Sequence, residues 1–133
     1  EGQLPEYATA GASGMDLRST ETITLKPLER ASVGTGIRIE LPAGYEAQIR
    51  PRSGLAMRLG LSMVNSPGTI DSDYRGEIRV LLINLGSEVV VLETGERIAQ
   101  LVVALYTKVK WEPATELSDS SRGEAGFGST GTN

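Results

Sequence analysis

The sequence predicts an all-β domain with one short helix. Three observations carry this. Sixteen Gly and six Pro cut the 133 residues into short pieces. Between these breaks lie runs in which apolar and polar residues alternate with period two, the mark of half-buried strands. No segment carries an apolar stripe of helical period over about ten residues. Many short strands at regular spacing pack as a sandwich, a barrel or a jelly roll. Hydrophobic residues make up 39% and charged residues 23%, ordinary for one globular domain of this length.

In chain order, Ile23 and Leu25 alternate with Thr. Val33, Ile37, Ile39 and Leu41 face one way across a polar alternation, and Tyr45, Ala47 and Ile49 do the same. The run from Gly54 to Leu59 is the one helix candidate, with Ser53 placed to cap it. Ile78 to Ile83 reads as a strand buried on both sides at its end. Val89 to Leu92 is short and β-branched. Ile98 to Tyr106 is a longer strand, with Gln100 facing the same way as Val102 and Ala104. Turn signals separate the runs: Lys26-Pro27, Leu41-Pro42-Ala43-Gly44, Ser66-Pro67-Gly68, Leu85-Gly86-Ser87 and Thr94-Gly95. No repeat of solenoid length is present. From Glu112 the chain turns polar and small, without periodicity, and is expected not to pack a core by itself.

Two absences narrow the chemistry. With no Cys and no His, a thiolate nucleophile, a zinc-thiolate site, a Ser-His-Asp triad and any imidazole acid or base are excluded. An enzyme built from this chain takes a carboxylate, Lys or Tyr as its base. A metal would be held by oxygen, which points to magnesium or calcium. The net charge of −4 argues against a surface that coats nucleic acid. Basic residues are skewed to Arg, whose planar fork suits phosphate oxygens and serves equally well as a solvated surface charge. The longest apolar run, Leu101 to Tyr106, is far short of the roughly 20 residues of a membrane span. Glu1 to Pro5 has no signal-peptide character. The expectation is a soluble, cytoplasmic domain without a membrane partner.

Five segments could carry chemistry. Ala10 to Arg18 brings Asp16 into a strand after a Gly-rich loop, where a structural salt bridge is the plain role. Pro51-Arg52-Ser53-Gly54 opens the short helix, where Ser53 can cap, or free N–H groups and Arg52 can meet phosphate. Gly68 to Glu77 suits a long hairpin holding Asp71 and Asp73, either bonded to their own turn or serving as a carboxylate base beside Tyr74. Gly95 to Leu101 is a turn into a strand, with Gln100 solvated or functional. Gly126 to Gly131 fits G-x-G-x-x-G, but neither the strand nor the helix of a dinucleotide fold flanks it. Its exposed N–H groups, with Arg122 and Phe127, would still cover a ligand that has a ring and phosphates.

Taken in order, AGASGMDLRS, PRSGLA, NSPGTIDSDYRGE, GERIAQL and RGEAGFGSTG resemble the five motifs of the trimeric dUTPase family, over Ala10 to Gly131. The resemblance implies a distorted β jelly-roll barrel at residues 1–111 and a flexible Gly-rich arm at 112–133. It also implies a homotrimer in which the arm of one subunit closes a pocket built by the other two. The implied reaction is dUTP plus water giving dUMP and pyrophosphate, with water attacking the α-phosphorus in line. This limits uracil in DNA and supplies dUMP for thymidylate synthesis. By motif position, Asp71 is the implied base. Asn65 and the main chain near Thr69 and Ile70 would face uracil, and Arg79 would touch the nucleotide through its main chain. Tyr74 would lie under the deoxyribose. Arg52, Ser53, Gly54 and Gln100 would hold phosphates. Arg122, Ser129 and Thr130 would grip the terminal phosphates, Phe127 would stack on uracil, and Asp16 would support. Mg2+ would ride on the triphosphate without direct protein ligands. Two other readings predict different outcomes: the related dCTP deaminases, which would release ammonia, and a non-catalytic jelly-roll binding module, which would turn nothing over.

Overall fold

A computed structural model of the chain describes residues 2–126. The elements are β1 (Glu6–Tyr7), β2 (Met15–Arg18), β3 (Ile23–Leu25), β4 (Arg30–Gly34), β5 (Tyr45–Arg50), α1 (Ser53–Leu59), β6 (Leu61–Met63), β7 (Gly68–Ile70), β8 (Arg79–Asn84), β9 (Val90–Leu92) and β10 (Arg97–Leu105). They form a five-stranded sheet in the order β1-β2-β10-β5-β7, a three-stranded sheet β4-β8-β6 and a two-stranded sheet β3-β9. Every pairing is antiparallel. One core lies between the sheets, built from alternate residues such as Leu17, Leu25, Val33, Ile49, Val80, Leu82, Leu92 and Ile98. Among the described residues the architecture is an all-β jelly roll with a single short helix.

The alternation from Val33 to Leu41 holds, but not as one strand. β4 stops at Gly34, and Gly36 takes a φ of 68°, which breaks the extension. Parity survives the break: Val33, Thr35 and Ile37 are buried, and Ile39 and Leu41 pack against the core. Thr35 is satisfied there, its hydroxyl donating to the Ile78 carbonyl at 2.6 Å. Buried Asn84, at the end of β8, donates to the carbonyls of Leu25 at 2.9 Å and Glu88 at 2.7 Å, and so ties β8 to β3.

Three local expectations are corrected. β8 is not buried on both sides: its burial alternates, and Leu81 is 37% exposed. One face of that strand meets the core, and among the described residues no element covers the other. Ser53 does not cap α1. Arg52 is the N-cap, with φ −90° and ψ 124°, and no side chain caps the helix. The extended conformation ends one residue early, so the Arg52 carbonyl receives the N–H groups of Leu55 and Ala56 at 3.1 and 3.0 Å. The segment from Gly68 to Glu77 is not a simple hairpin either. β6 and β8 are the paired arms, and β7 leaves them to join β5 in the other sheet.

β10 is the longest strand and sits between β2 and β5. Its register shifts between Arg97 and Ala99, so Ile98 and Ala99 both point inward. Beyond Leu105, the described residues form no strand or helix; Trp111 is 87% and Leu117 91% exposed. Among the described residues, no helix is long and apolar enough to cross a membrane.

Candidate active site

Adjacent strands bring three of the sequence motifs together. β10 pairs Gln100 with Asp16 of β2 on one side and with Arg50 of β5 on the other, and Arg52 follows directly after β5. The Asp16 carboxylate is the hub. One oxygen lies 3.1 Å from Arg52 Nε and the other 3.1 Å from Arg97 Nη1. Arg52 Nη1 also donates to the Arg97 carbonyl at 3.2 Å. The Arg52 and Asp16 side chains are only 22% and 17% exposed, so this pair is shielded and its geometry is held more firmly than a surface ion pair.

These residues line a cavity of about 390 Å3 with Gly11, Ala12, Ser13, Gly14 and Gln100. A β-carbon on Gly14 would lie 2.7 Å from Gln100 Oε1, so a larger residue there would displace the end of that side chain. A second opening of about 510 Å3 shares Arg52 and Arg97 and adds Arg18 and Arg58. Four guanidinium groups around adjoining openings, in a chain of net charge −4, favour a polyanion. Ser53 and Gly54 are exposed at the start of α1, where the first helical N–H groups lack helical partners.

Asp71 lies elsewhere. It follows β7, and the turn after it closes through the Tyr74 N–H donating to the Asp71 carbonyl at 3.1 Å. With Glu46, Ser72, Asp73, Tyr106 and Lys108 it lines a cavity of about 420 Å3. Its carboxylate is exposed and, among the described residues, has no hydrogen-bond or ion-pair partner. Thr69 and Ile70 sit on β7 opposite Gln48 and Ala47, and Asn65 lies against buried Gly68. The Tyr74 hydroxyl donates to the Glu77 carbonyl at 2.9 Å.

Arg79 is engaged away from both cavities. Its guanidinium donates to the Ser32 hydroxyl at 2.9 Å and the Ser32 carbonyl at 2.7 Å, and pairs with Glu77 at 3.2 Å and Glu21 at 3.6 Å. Glu77 also accepts the Gly36 N–H at 2.8 Å. That N–H first, and then Arg79, hold the Glu77 carboxyl below the ordinary glutamate value, against a partial desolvation that raises it.

The fold therefore gathers Asp16, Arg52 and Gln100 and places Asp71 at a different opening, while Tyr74, three residues on, lines neither. Arg122 lines neither; its Nε donates to the Ala125 carbonyl at 2.8 Å. Phe127, Ser129 and Thr130 lie outside the described residues. Arg97 escaped the sequence reading. Its place at the bulge, one turn from Asp16 in space but 81 residues away in the chain, is visible only once the strands pair.

Comparison with known proteins follows the same lines. A family model described as dUTPase matches residues 1–131. The deoxyuridine 5'-triphosphate nucleotidohydrolase of Hydrogenobaculum sp. (strain Y04AAS1) is 59% identical over 129 residues, covering 96% of this chain and 90% of the relative. That of Rickettsia felis is 55% identical over 132 residues, covering 98% and 89%. Among solved structures, the Staphylococcus bacteriophage 80alpha dUTPase with dUpNHpp superposes with a TM-score of 0.92 at 28% identity, over 98% of this chain and 93% of the other. By a motif order that spans the chain, a fold that superposes over nearly its whole length and relatives above half identity, this chain belongs to the dUTPase family.

Proposed function

We propose that the chain hydrolyses dUTP to dUMP and pyrophosphate at sites shared between the subunits of a homotrimer. The observation that carries a shared site is the separation within one chain. Asp71 and the Asp16–Arg52–Gln100 group line different cavities, although one in-line displacement needs both. Packing one copy against another lets the Asp71 opening of one subunit face the Asp16–Arg52–Gln100 opening of its neighbour. The arm, residues 112–133, then closes the junction from a further copy. An arm with so little apolar surface needs such a partner to offset its ordering entropy.

Asp71 takes a proton from a water whose oxygen attacks the α-phosphorus. The bond from that phosphorus to the bridging oxygen breaks, and pyrophosphate departs with the electron pair. An exposed carboxylate without a partner among the described residues can hold that water. Arg52, Ser53, Gly54 and Gln100 hold the phosphates, and Asp16 fixes the Arg52 fork. Arg122, Ser129 and Thr130 add contacts to the terminal phosphates, and Phe127 stacks on uracil. Asn65 and the main chain at Thr69 and Ile70 pair with the uracil edge. Cytosine would leave those polar groups unpaired, which costs more than a lost contact. Arg79 can contribute only main chain, its side chain being engaged. Mg2+ bound to the triphosphate neutralises charge and fixes one phosphate geometry. Asp16, with both oxygens already on arginines, fits an outer supporting role for that ion and not a direct ligand. The reaction belongs with free nucleotides of the cytoplasm; neither nucleic acid nor membrane is a partner.

Release of pyrophosphate and ammonia from dUTP, dCTP, dTTP and UTP, with and without Mg2+, tests this reading. Pyrophosphate from dUTP alone, dependent on Mg2+, is expected. Ammonia from dCTP would move the chain to the deaminases, and no turnover at all would leave a binding module.

A further inference from the structure

We propose that Gly76 and Glu77 set the sugar selectivity of the reaction by fixing where the Tyr74 ring lies. This rests on the hydrolase reading above and on the place under the deoxyribose that the family resemblance implies for Tyr74. The ring folds back across the main chain at Gly76, where a β-carbon would stand 2.5 Å from Tyr74 Cζ and 2.9 Å from Cε2. Glycine alone leaves room for the ring; any larger residue pushes it outward.

The hydroxyl end is held as firmly. It donates to the Glu77 carbonyl at 2.9 Å. The other side of that same peptide, the Ile78 N–H, donates to the Ile37 carbonyl at 2.8 Å, and Ile78 is fully buried. A planar trans peptide fixed at its N–H aims its carbonyl the opposite way, toward the tyrosine. The Glu77 carboxylate adds two attachments, to the Gly36 N–H at 2.8 Å and to Arg79 at 3.2 Å. Tyr74 is thus tethered to the core through one peptide while the residue stays 42% exposed. A sugar that carries one more hydroxyl is rejected only by a wall that does not yield, so stiffness behind the ring decides the selectivity.

The test compares kcat/KM for dUTP and UTP, with Mg2+, in the wild type and in Gly76→Ala, Tyr74→Phe, Glu77→Ala and Glu77→Gln, together with Tm. Gly76→Ala is expected to raise UTP relative to dUTP by about tenfold or more, with dUTP kcat little changed. Glu77→Ala gives a smaller rise. Glu77→Gln, which keeps an oxygen for the Gly36 N–H, restores most of the discrimination. A merely structural role would instead lower Tm and depress both substrates alike. Tyr74→Phe removes only the hydroxyl, so the idea stays testable if Gly76→Ala does not fold. If Gly76→Ala and Tyr74→Phe both reject UTP as the wild type does, the tether is wrong. A wild type inert to dUTP sinks the hydrolase reading, and the tether with it.

Discussion

The two openings of this domain are built on opposite plans. Around Asp16, the carboxylate is paired with Arg97 from the neighbouring strand β10 and with Arg52 at the start of α1. Around Asp71, the carboxylate has no partner among the described residues and stands on a turn that leaves one sheet for another. The contrast teaches where each kind of chemistry wants rigidity. A polyanion is bound best by donors whose positions are settled beforehand. A proton acceptor must keep its lone pairs free for the water it activates.

The contrast can be broken or sharpened by experiment. Asp71→Asn should lower kcat by about 10²–10⁴-fold while dUTP binding, read by calorimetry, survives. Near-normal turnover would give the base role to another group. Ending the chain before Arg122 should lower kcat by about 10²-fold with the trimer intact by sedimentation. Full activity in that truncation would show that the arm is not part of the site. Arg52→Lys keeps the charge but loses the fork that faces Asp16, so KM for dUTP should rise about tenfold, with a smaller effect on kcat. An unchanged KM would place the phosphates elsewhere.

The smallest effect concerns the anchor behind Tyr74. A carboxyl held below its ordinary value stabilises the fold while it is ionised. Glu77 therefore adds stability at neutral pH, and the addition is lost as pH falls below about 4.3 and through the lowered folded value. Thermal melts of the wild type and Glu77→Gln should converge on acidification. Parallel curves down to acid would remove Glu77 from the pH dependence.

Much of the fold was legible because strand parity is local. Ala47 and Ile49 point inward as their alternation requires, and Thr35 keeps the phase even though Gly36 interrupts the strand. Boundaries were less legible. The Ser53 cap failed by a single residue, since a helix start depends on where the backbone leaves the extended region, and Arg and Ser at that junction do not mark it. Leu81 looked buried because composition reports an apolar residue without saying which surface covers it. In the site, Asp16, Arg52 and Gln100 were legible as motif members, but their meeting was not, nor was the part of Arg97. The remoteness of Asp71 from them in one chain follows from the antiparallel register of β7 on β5: Ile70 pairs with Ala47, so Asp71 leaves at the Tyr45 end of β5 while Arg52 lies beyond its Arg50 end, a pairing that no local pattern encodes.

The placement of β10 between β2 and β5 has a consequence for biosynthesis. As the polypeptide leaves the ribosome, Asp16 and Arg52 emerge early, yet the strand that joins their two halves of the sheet is the last to arrive. Until it does, both flanking edges stay open and neither arginine partner of the aspartate is in its final position. Nascent chains halted upstream of residue 97 would carry most of the motifs and no Asp16–Arg52–Arg97 cluster, so this part of the molecule takes shape only after translation has passed through that one strand.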